Sequence, residues 1–210
     1  MSTDGWKNFG RYGADLDPGN VHGKIALGRA LEDVIERMIL EGGIKSPPST
    51  RRGLMARMRY LMDHRGGREA LTEALADAGS TANAATIRAW AKGVRRPRPV
   101  NLEAIDTAYW TLRARNILAN PSILKDHLNR GGRGTRIEIH PINQDVVEEP
   151  RRRDNLHVRS FQVRYVWDEA VDALNTGDAN ALEDIWDDII SELDSDWGAY
   201  TYVSHIGLGA

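Results

Sequence analysis

The sequence has 210 residues, of which 41% are hydrophobic and 28% are charged, as in folded globular proteins rather than disordered ones. It contains no cysteine, which excludes disulfides, thiolate metal sites and a cysteine nucleophile and suits a reducing compartment. The N-terminal residues lack a signal pattern, and charged residues interrupt the most apolar stretch, residues 25–40. We therefore expect a cytoplasmic, nucleoid-associated protein with no membrane partner.

The formal net charge of −2 conceals an uneven distribution of charge along the chain. Residues 45–136 carry 18 basic and 7 acidic side chains, a net charge of +11, whereas residues 137–210 carry 5 basic and 16 acidic ones, a net charge of −11. This pattern favours a module that binds a polyanion beside one that does not. The alternative is that the acidic half packs on the basic half.

In chain order, residues 1–44 are predicted to form a polar arm followed by an amphipathic helix. Apolar residues recur at three- and four-residue steps from Ile25 to Ile39, and Gly42 and Gly43 end the pattern. A Pro-Pro linker follows, because consecutive prolines cannot continue a helix.

Residues 51–118 are predicted to form a helical domain. Apolar stripes indicate a helix from Arg51, a short one over residues 68–78, a third over residues 83–92 and a fourth over residues 102–116. Gly79 suits a sharp turn, and Ser80 or Thr81 is the predicted N-cap of the third helix. Residues 95–99, Arg-Arg-Pro-Arg-Pro, read as an extended basic strap.

Residues 135–206 are predicted to form an acidic α+β domain. Alternating apolar residues indicate strands at residues 137–140, 157–167 and 200–203, with helices over residues 168–174 and 179–193 between the last two. The predicted fold class is therefore α+β: an all-α helix-turn-helix bundle followed by a small three-stranded antiparallel sheet with two helices.

The second and third helices carry the strongest functional signal. An alanine- and leucine-lined helix, a glycine turn and a helix with short polar residues at its start form the pattern of a DNA-binding helix-turn-helix. Asn83, Thr86 and Arg88 are the candidates for groove contacts, since asparagine can pair bidentately with adenine and arginine with guanine. The phosphate candidates are Arg51, Arg52, Arg57, Lys92, Arg95, Arg96 and Arg98. The candidate DNA-binding residues are Arg51, Arg52, Arg57, Ser80, Thr81, Asn83, Thr86, Arg88, Lys92, Arg95, Arg96 and Arg98. The alternative is a helical bundle with a solvated basic face.

Signals for catalysis are weak. The six histidines lack i, i+4 metal spacing, and the acidic run from Glu183 to Glu192 reads as one solvated helix face. There is no phosphate-cradling glycine motif and no nucleophile elbow. We predict that the protein is not an enzyme and uses neither a metal nor another cofactor.

The run Arg59-Tyr-Leu, the two helices with Thr86-Ile-x-x-Trp90, Lys92-Gly93 and Arg96-Pro-Arg-Pro99 resemble the telomere terminal proteins of linear Streptomyces-type replicons. The resemblance covers about residues 58–202 and is strongest over residues 71–99. It implies binding to replicon ends and covalent attachment of DNA to a threonine hydroxyl that primes end replication. The sequence departs from the family in a longer turn before Thr86, an additional N-terminal arm and helix, and the acidic C-terminal half.

Within that resemblance, Thr135 is the candidate DNA-acceptor hydroxyl. It is the only threonine between Thr111 and Thr176, on a Gly- and Arg-rich junction where the family's acceptor region falls. The alternative is an ordinary surface threonine that opens a strand. Expected partners are DNA, a second copy in a homodimer, and a replication or telomere-associated protein.

Two other functions remain open. One is a helix-turn-helix transcriptional regulator or plasmid-maintenance repressor, and the other is a self-assembling structural protein for which DNA is a secondary ligand.

Overall fold

The computed structural model describes residues 21–142, 149–151 and 156–209. These residues form a mixed α+β protein with eight helices and a four-stranded antiparallel sheet. The chain divides into two compact units, Arg37–Ile117 and the residues on either side of that segment. We call them the helical unit and the α+β unit. The polar arm predicted over residues 1–20 lies outside the described residues.

The helical unit contains the end of α1 (Gly23–Glu41), followed by α2 (Arg51–Asp63), α3 (Gly67–Asp77), α4 (Ala84–Ala91) and most of α5 (Pro99–Leu118). The apolar faces of α2, α3, α4 and α5 meet in one core, as the three- and four-residue spacing predicts. Its large, deeply buried members are Met58, Leu61, Leu71, Trp90, Ile105 and Leu112.

Side chains and glycines set the helix ends of this unit. The Thr50 hydroxyl accepts a hydrogen bond from Gly53 N at 3.0 Å and caps α2. The predicted N-cap of α4 was wrong, because Asn83 rather than Ser80 or Thr81 fills that position and accepts from Thr86 N at 2.9 Å. Gly79 has a φ of +65°, which confirms the predicted left-handed turn.

The α+β unit contains β1 (Val21–His22), most of α1, α6 (Pro121–Asn129), β2 (Thr135–Pro141), β3 (Arg159–Val163), α7 (Trp167–Thr176), α8 (Ala179–Ser191) and β4 (Tyr202–Leu208). The strand order is β1-β4-β2-β3, and every neighbouring pair is antiparallel.

The predicted three-stranded sheet is corrected to four strands. Short strand β1 pairs with β4 through Val21 and Val203 and extends the sheet at that edge. Strand β3 is shorter than predicted, because Tyr165 adopts a left-handed φ of +68° and Trp167 already begins α7. No helix among the described residues has the length and apolar character needed to cross a membrane.

Large aromatic side chains anchor the core of the α+β unit, and their polar atoms are bonded. The indole Nε1 of Trp167 donates to Val163 O at 3.0 Å, and that of Trp186 donates to Tyr200 O at 3.2 Å. Both rings are fully buried. Each indole N–H is nevertheless satisfied by a backbone carbonyl, as buried polar groups normally are.

Candidate nucleic-acid interface

Exposed basic side chains surround α4 in the helical unit. Arg88 and Lys92 lie at its C-terminal end, where positive charge is favourable to the helix dipole. Arg95, Arg96 and Arg98 follow directly and are also exposed. In the described part of the chain none of these five side chains forms an ion pair, so their charges remain available to a ligand.

The chain turns back tightly after α4, which fixes the position of the arginine segment. Val94 N and Arg95 N both donate to Ala89 O, at 3.0 and 3.3 Å, and Gly93 has a φ of +69°. Pro97 is buried between exposed neighbours, and Arg96 donates to Ser49 O at 2.9 Å. These contacts hold residues 95–98 against the start of α2. We call residues 95–98 the arginine segment.

Two pockets adjoin at Arg95 and Arg96. The first, of about 250 Å³, lies between the turn that precedes α4 and the first turn of α5. The second, of about 210 Å³, lies between the arginine segment and the start of α2 and includes Arg51. No acidic side chain lines either pocket, so both are strongly electropositive concavities of the kind that attract phosphates.

Two consecutive arginines open α2 at the second pocket. Arg51 and Arg52 occupy the first turn, where the helix dipole is positive and no acidic residue offsets it. Cations in the first turn of a helix are unfavourable by a few tenths of a kcal/mol to about 1 kcal/mol in the free protein. A bound anion removes that penalty, because the free backbone N–H groups and the guanidinium groups then face the same negative charge.

The structure places the predicted site residues in several different positions. Ser80, Thr81, Thr86, Arg95, Arg96 and Arg98 line the first pocket, and Arg51 lines the second with Arg95 and Arg96. Arg52, Arg88 and Lys92 are exposed outside both pockets. Asn83 caps α4, so bidentate pairing with adenine competes with the hydrogen bond that its Oδ1 accepts from Thr86 N. Arg57 and Thr135 lie elsewhere.

Arg57 is a buried structural residue, and the prediction that it contacts phosphate does not fit its position. Its side chain is 3% exposed. The guanidinium forms an ion pair with Asp106 and donates to Ser46 O at 2.7 Å and to Gly53 O at 3.2 Å. Arg57 thus links α2, the preceding linker and α5, and it has little left to offer a DNA phosphate.

Thr135 is also buried, at 1% exposure, as the first residue of β2. Its hydroxyl donates to Leu128 O at 2.6 Å, and its Cα pairs in register with Val163. The prediction of a flexible, exposed acceptor hydroxyl does not fit this position, because the start of β2 would have to open before the hydroxyl could enter a polymerase site.

Among the lining residues of the first pocket that sequence reasoning missed, Trp90 and Asn101 carry polar side-chain atoms. Trp90 lies in the core, at 2% exposure. Only its indole nitrogen gives it a second role, and a sequence does not reveal whether a buried indole has a partner. Among the described residues no group of three or more His, Asp or Glu side chains is placed to hold a metal ion.

Comparison of the chain with protein-family models, with curated proteins and with solved structures returns no match.

Proposed function

We propose that the helical unit binds DNA, with α3 and α4 acting as a helix-turn-helix and α4 lying toward the groove. The observation that carries this proposal is the set of exposed, ion-pair-free cations gathered around α4, the arginine segment and the start of α2. Such a surface neutralises backbone phosphates and releases their counterions. The turn from Ala78 to Asn83 and the exposed Arg88 support a reading helix in α4.

The proposal is tested by the salt dependence of duplex binding. Fluorescence anisotropy of a labelled mixed-sequence duplex is measured at stepped salt for the full chain and for Arg95→Ala/Arg96→Ala/Arg98→Ala. If each arginine neutralises one phosphate, the triple variant flattens the slope of log K against log salt by about three units. An unchanged slope would remove the arginine segment from the interface.

The matched control is Arg59→Ala/Arg65→Ala/Arg68→Ala. These three arginines are exposed, lie in the same unit and line neither pocket, so the control removes the same charge. We expect it to change the slope by less than about one unit. Equal changes in both variants would mean that net charge, and not this surface, governs binding.

The biological setting remains a separate proposal. The resemblance to telomere terminal proteins suggests that the DNA is a replicon end, whereas the burial of Thr135 favours the second candidate, a regulator that binds an internal site. The two differ in one product: a terminal protein leaves a DNA–protein adduct that survives boiling in denaturant after replication. Such an adduct in the full chain that persists in Thr135→Ser and vanishes in Thr135→Val would support the terminal role. The absence of any adduct would support the regulator.

A further inference from the structure

Two residues that line the first pocket carry buried polar atoms without a partner. Trp90 Nε1 and Asn101 Oδ1 both belong to residues that line it, and neither atom has a hydrogen-bond partner. The two residues are 2% and 9% exposed. In the described part of the chain only one other buried side-chain atom, Asn175 Oδ1, is unpartnered in this way. Two of three such atoms therefore belong to the lining of one pocket.

The contrast with the other buried indoles shows that Trp90 is exceptional. Trp167 and Trp186 are as deeply buried, and each donates to a backbone carbonyl. An indole N–H can only donate, so the missing partner of Trp90 must be an acceptor. A buried donor without an acceptor costs free energy, and a ligand that supplies the acceptor recovers it.

The other lining groups define the chemistry of that acceptor. The lining residues Arg95, Arg96 and Arg98 carry guanidinium groups, which only donate, and Ser80, Thr81 and Thr86 carry hydroxyls. No carboxylate lines the pocket. Asn101 lies in the first turn of the 20-residue helix α5, at the positive end of its dipole. A half-turn about χ2 of Asn101 exchanges its carbonyl and amine ends, so this side chain can also donate.

We propose that this pocket binds one phosphoryl group of a phosphate monoester or diester. A phosphoryl group presents tetrahedrally arranged acceptor oxygens, which suits donors that converge from α4, the preceding turn, the arginine segment and α5. The ligand is either a backbone phosphate of DNA or a free phosphate compound. In the first case the inference rests on the proposed function and identifies the phosphate that anchors α4; in the second it is independent of DNA binding.

The test follows the indole N–H of Trp90 by ¹H–¹⁵N NMR of the full chain. Six tryptophans give six indole signals, and the Trp90 signal is assigned by Trp90→Phe or, if that variant does not fold, by triple-resonance spectra. Inorganic phosphate is titrated at constant ionic strength against sodium chloride. We expect a saturable shift of the Trp90 signal, with a dissociation constant on the order of 1 mM, while the signals of Trp167 and Trp186 remain in place.

One exposed arginine provides the variant, and a second exposed arginine provides its control. Arg98→Gln removes a lining guanidinium and is expected to weaken phosphate binding about tenfold, as the loss of one charge-assisted hydrogen bond does. Arg68→Gln removes the same charge from α3 outside the pocket and is expected to leave the phosphate response unchanged. A loss of equal size in both variants, or no response of Trp90 to phosphate, would overturn the proposal.

Titration with a short duplex and with a nucleoside monophosphate separates the two sources. If duplex DNA shifts the Trp90 signal and inorganic phosphate competes with it, the ligand is a DNA phosphate. If the monophosphate shifts the Trp90 signal and the duplex does not, the ligand is a free phosphate compound. The pocket proposal then holds whether or not the protein binds DNA. If the duplex binds tightly without moving the Trp90 signal, and phosphate does not move it either, the pocket proposal fails while the proposed function survives.

Discussion

In the helical unit, residues 37–117 contain 15 basic and 7 acidic side chains, whereas the rest of the sequence contains 13 basic and 23 acidic ones. The two units also differ in their ion pairs, although the α+β unit too has exposed arginines in no ion pair among the described residues, including Arg130, Arg133 and Arg136. In the α+β unit, Lys24 pairs with Glu183 at 2.6 Å and Lys125 with Asp172 at 2.7 Å, and both pairs join separate elements. In the helical unit, the exposed cations of α2, α4 and the arginine segment form no ion pair among the described residues.

Ion pairing alone does not separate the charges that serve stability from those that serve binding. Exposed ion pairs such as those of the α+β unit contribute little to stability because solvent screens them, so they satisfy charges without dominating the fold. Unpaired arginines on one surface repel each other and contribute nothing to folding. What distinguishes the helical unit is that such cations cluster around α4, the arginine segment and the start of α2, the surface for which an anionic partner is proposed above. The buried polar groups of the two units allow further tests.

Arg57 provides the largest expected effect, because it is the buried arginine of the helical unit. Arg57→Met removes the ion pair with Asp106 and the donors to Ser46 O and Gly53 O. Breaking a buried pair costs about 3–5 kcal/mol. Since the Asp106 side chain is 30% exposed and can be hydrated, we expect a loss near 3 kcal/mol in the free energy of unfolding, measured by urea denaturation.

The control for Arg57 lies two residues along the same helix. Arg59 is exposed, and Arg59→Met is expected to change the free energy of unfolding by less than about 0.5 kcal/mol. Arg57→Met is also expected to keep the salt slope of DNA binding under conditions where it remains folded. A stable Arg57→Met variant with a flatter slope would return Arg57 to the DNA-binding surface.

Thr135 is expected to give a smaller effect in the α+β unit. Thr135→Val keeps the shape of the side chain but leaves Leu128 O without the hydroxyl donor at 2.6 Å. We expect a loss of about 1–2 kcal/mol in the free energy of unfolding. Thr176→Val is the control, because the exposed Thr176 hydroxyl also donates to a carbonyl, Asp172 O at 2.9 Å, and water can replace it. Equal effects of the two substitutions would indicate an accessible Thr135, as the acceptor role requires.

The positions of Arg57 and Thr135 show what the sequence could have revealed. Arg57 is three residues after Leu54 and four before Leu61, so helical spacing places it beside the buried stripe. Thr135 alternates with Ile137 and Ile139, so strand spacing places it on their buried face. The predictions rested on residue type, which favoured phosphate contact for Arg57 and mobility for Thr135. Periodicity, in contrast, predicted that both side chains are buried.

Other elements lay beyond sequence reasoning for physical reasons. The helices with long apolar stripes were predicted within a few residues, including α1, α2, α3 and α8. Helix α6 was missed because only Leu124 and Leu128 carry its buried face. Strand β1 has two residues and owes its structure to pairing with β4, which no local pattern encodes. The role inferred for the first pocket depends on which buried polar atoms lack hydrogen-bond partners, and packing alone decides that.

The smallest expected effect concerns the pH dependence of the α+β unit. His205 on β4 pairs in register with His140 on β2, with ring centroids 5.6 Å apart. Partial desolvation lowers the pKa of His205, an exposed residue, below its usual 6.5, and the neighbouring charges of His140 and Arg29 lower the pKa further, while that of Asp33 on α1 opposes them. The folded state therefore binds a proton at His205 less readily than the unfolded state does.

The sign of the stability change follows from that difference. Below pH 6.5 the unfolded chain protonates first, so the free energy of unfolding falls as the pH decreases from 6.5 toward the lowered pKa of folded His205. His205→Gln is expected to flatten the urea midpoint against pH in this window, and His140→Gln to flatten it partly, because it removes only the repulsion and leaves the partial desolvation. A profile that keeps its full slope in His205→Gln would assign the dependence to other groups. Because the helical unit holds neither histidine, the salt slope of DNA binding should be the same in both variants as in the unsubstituted chain, which separates the titration of the α+β unit from the binding surface of the helical one.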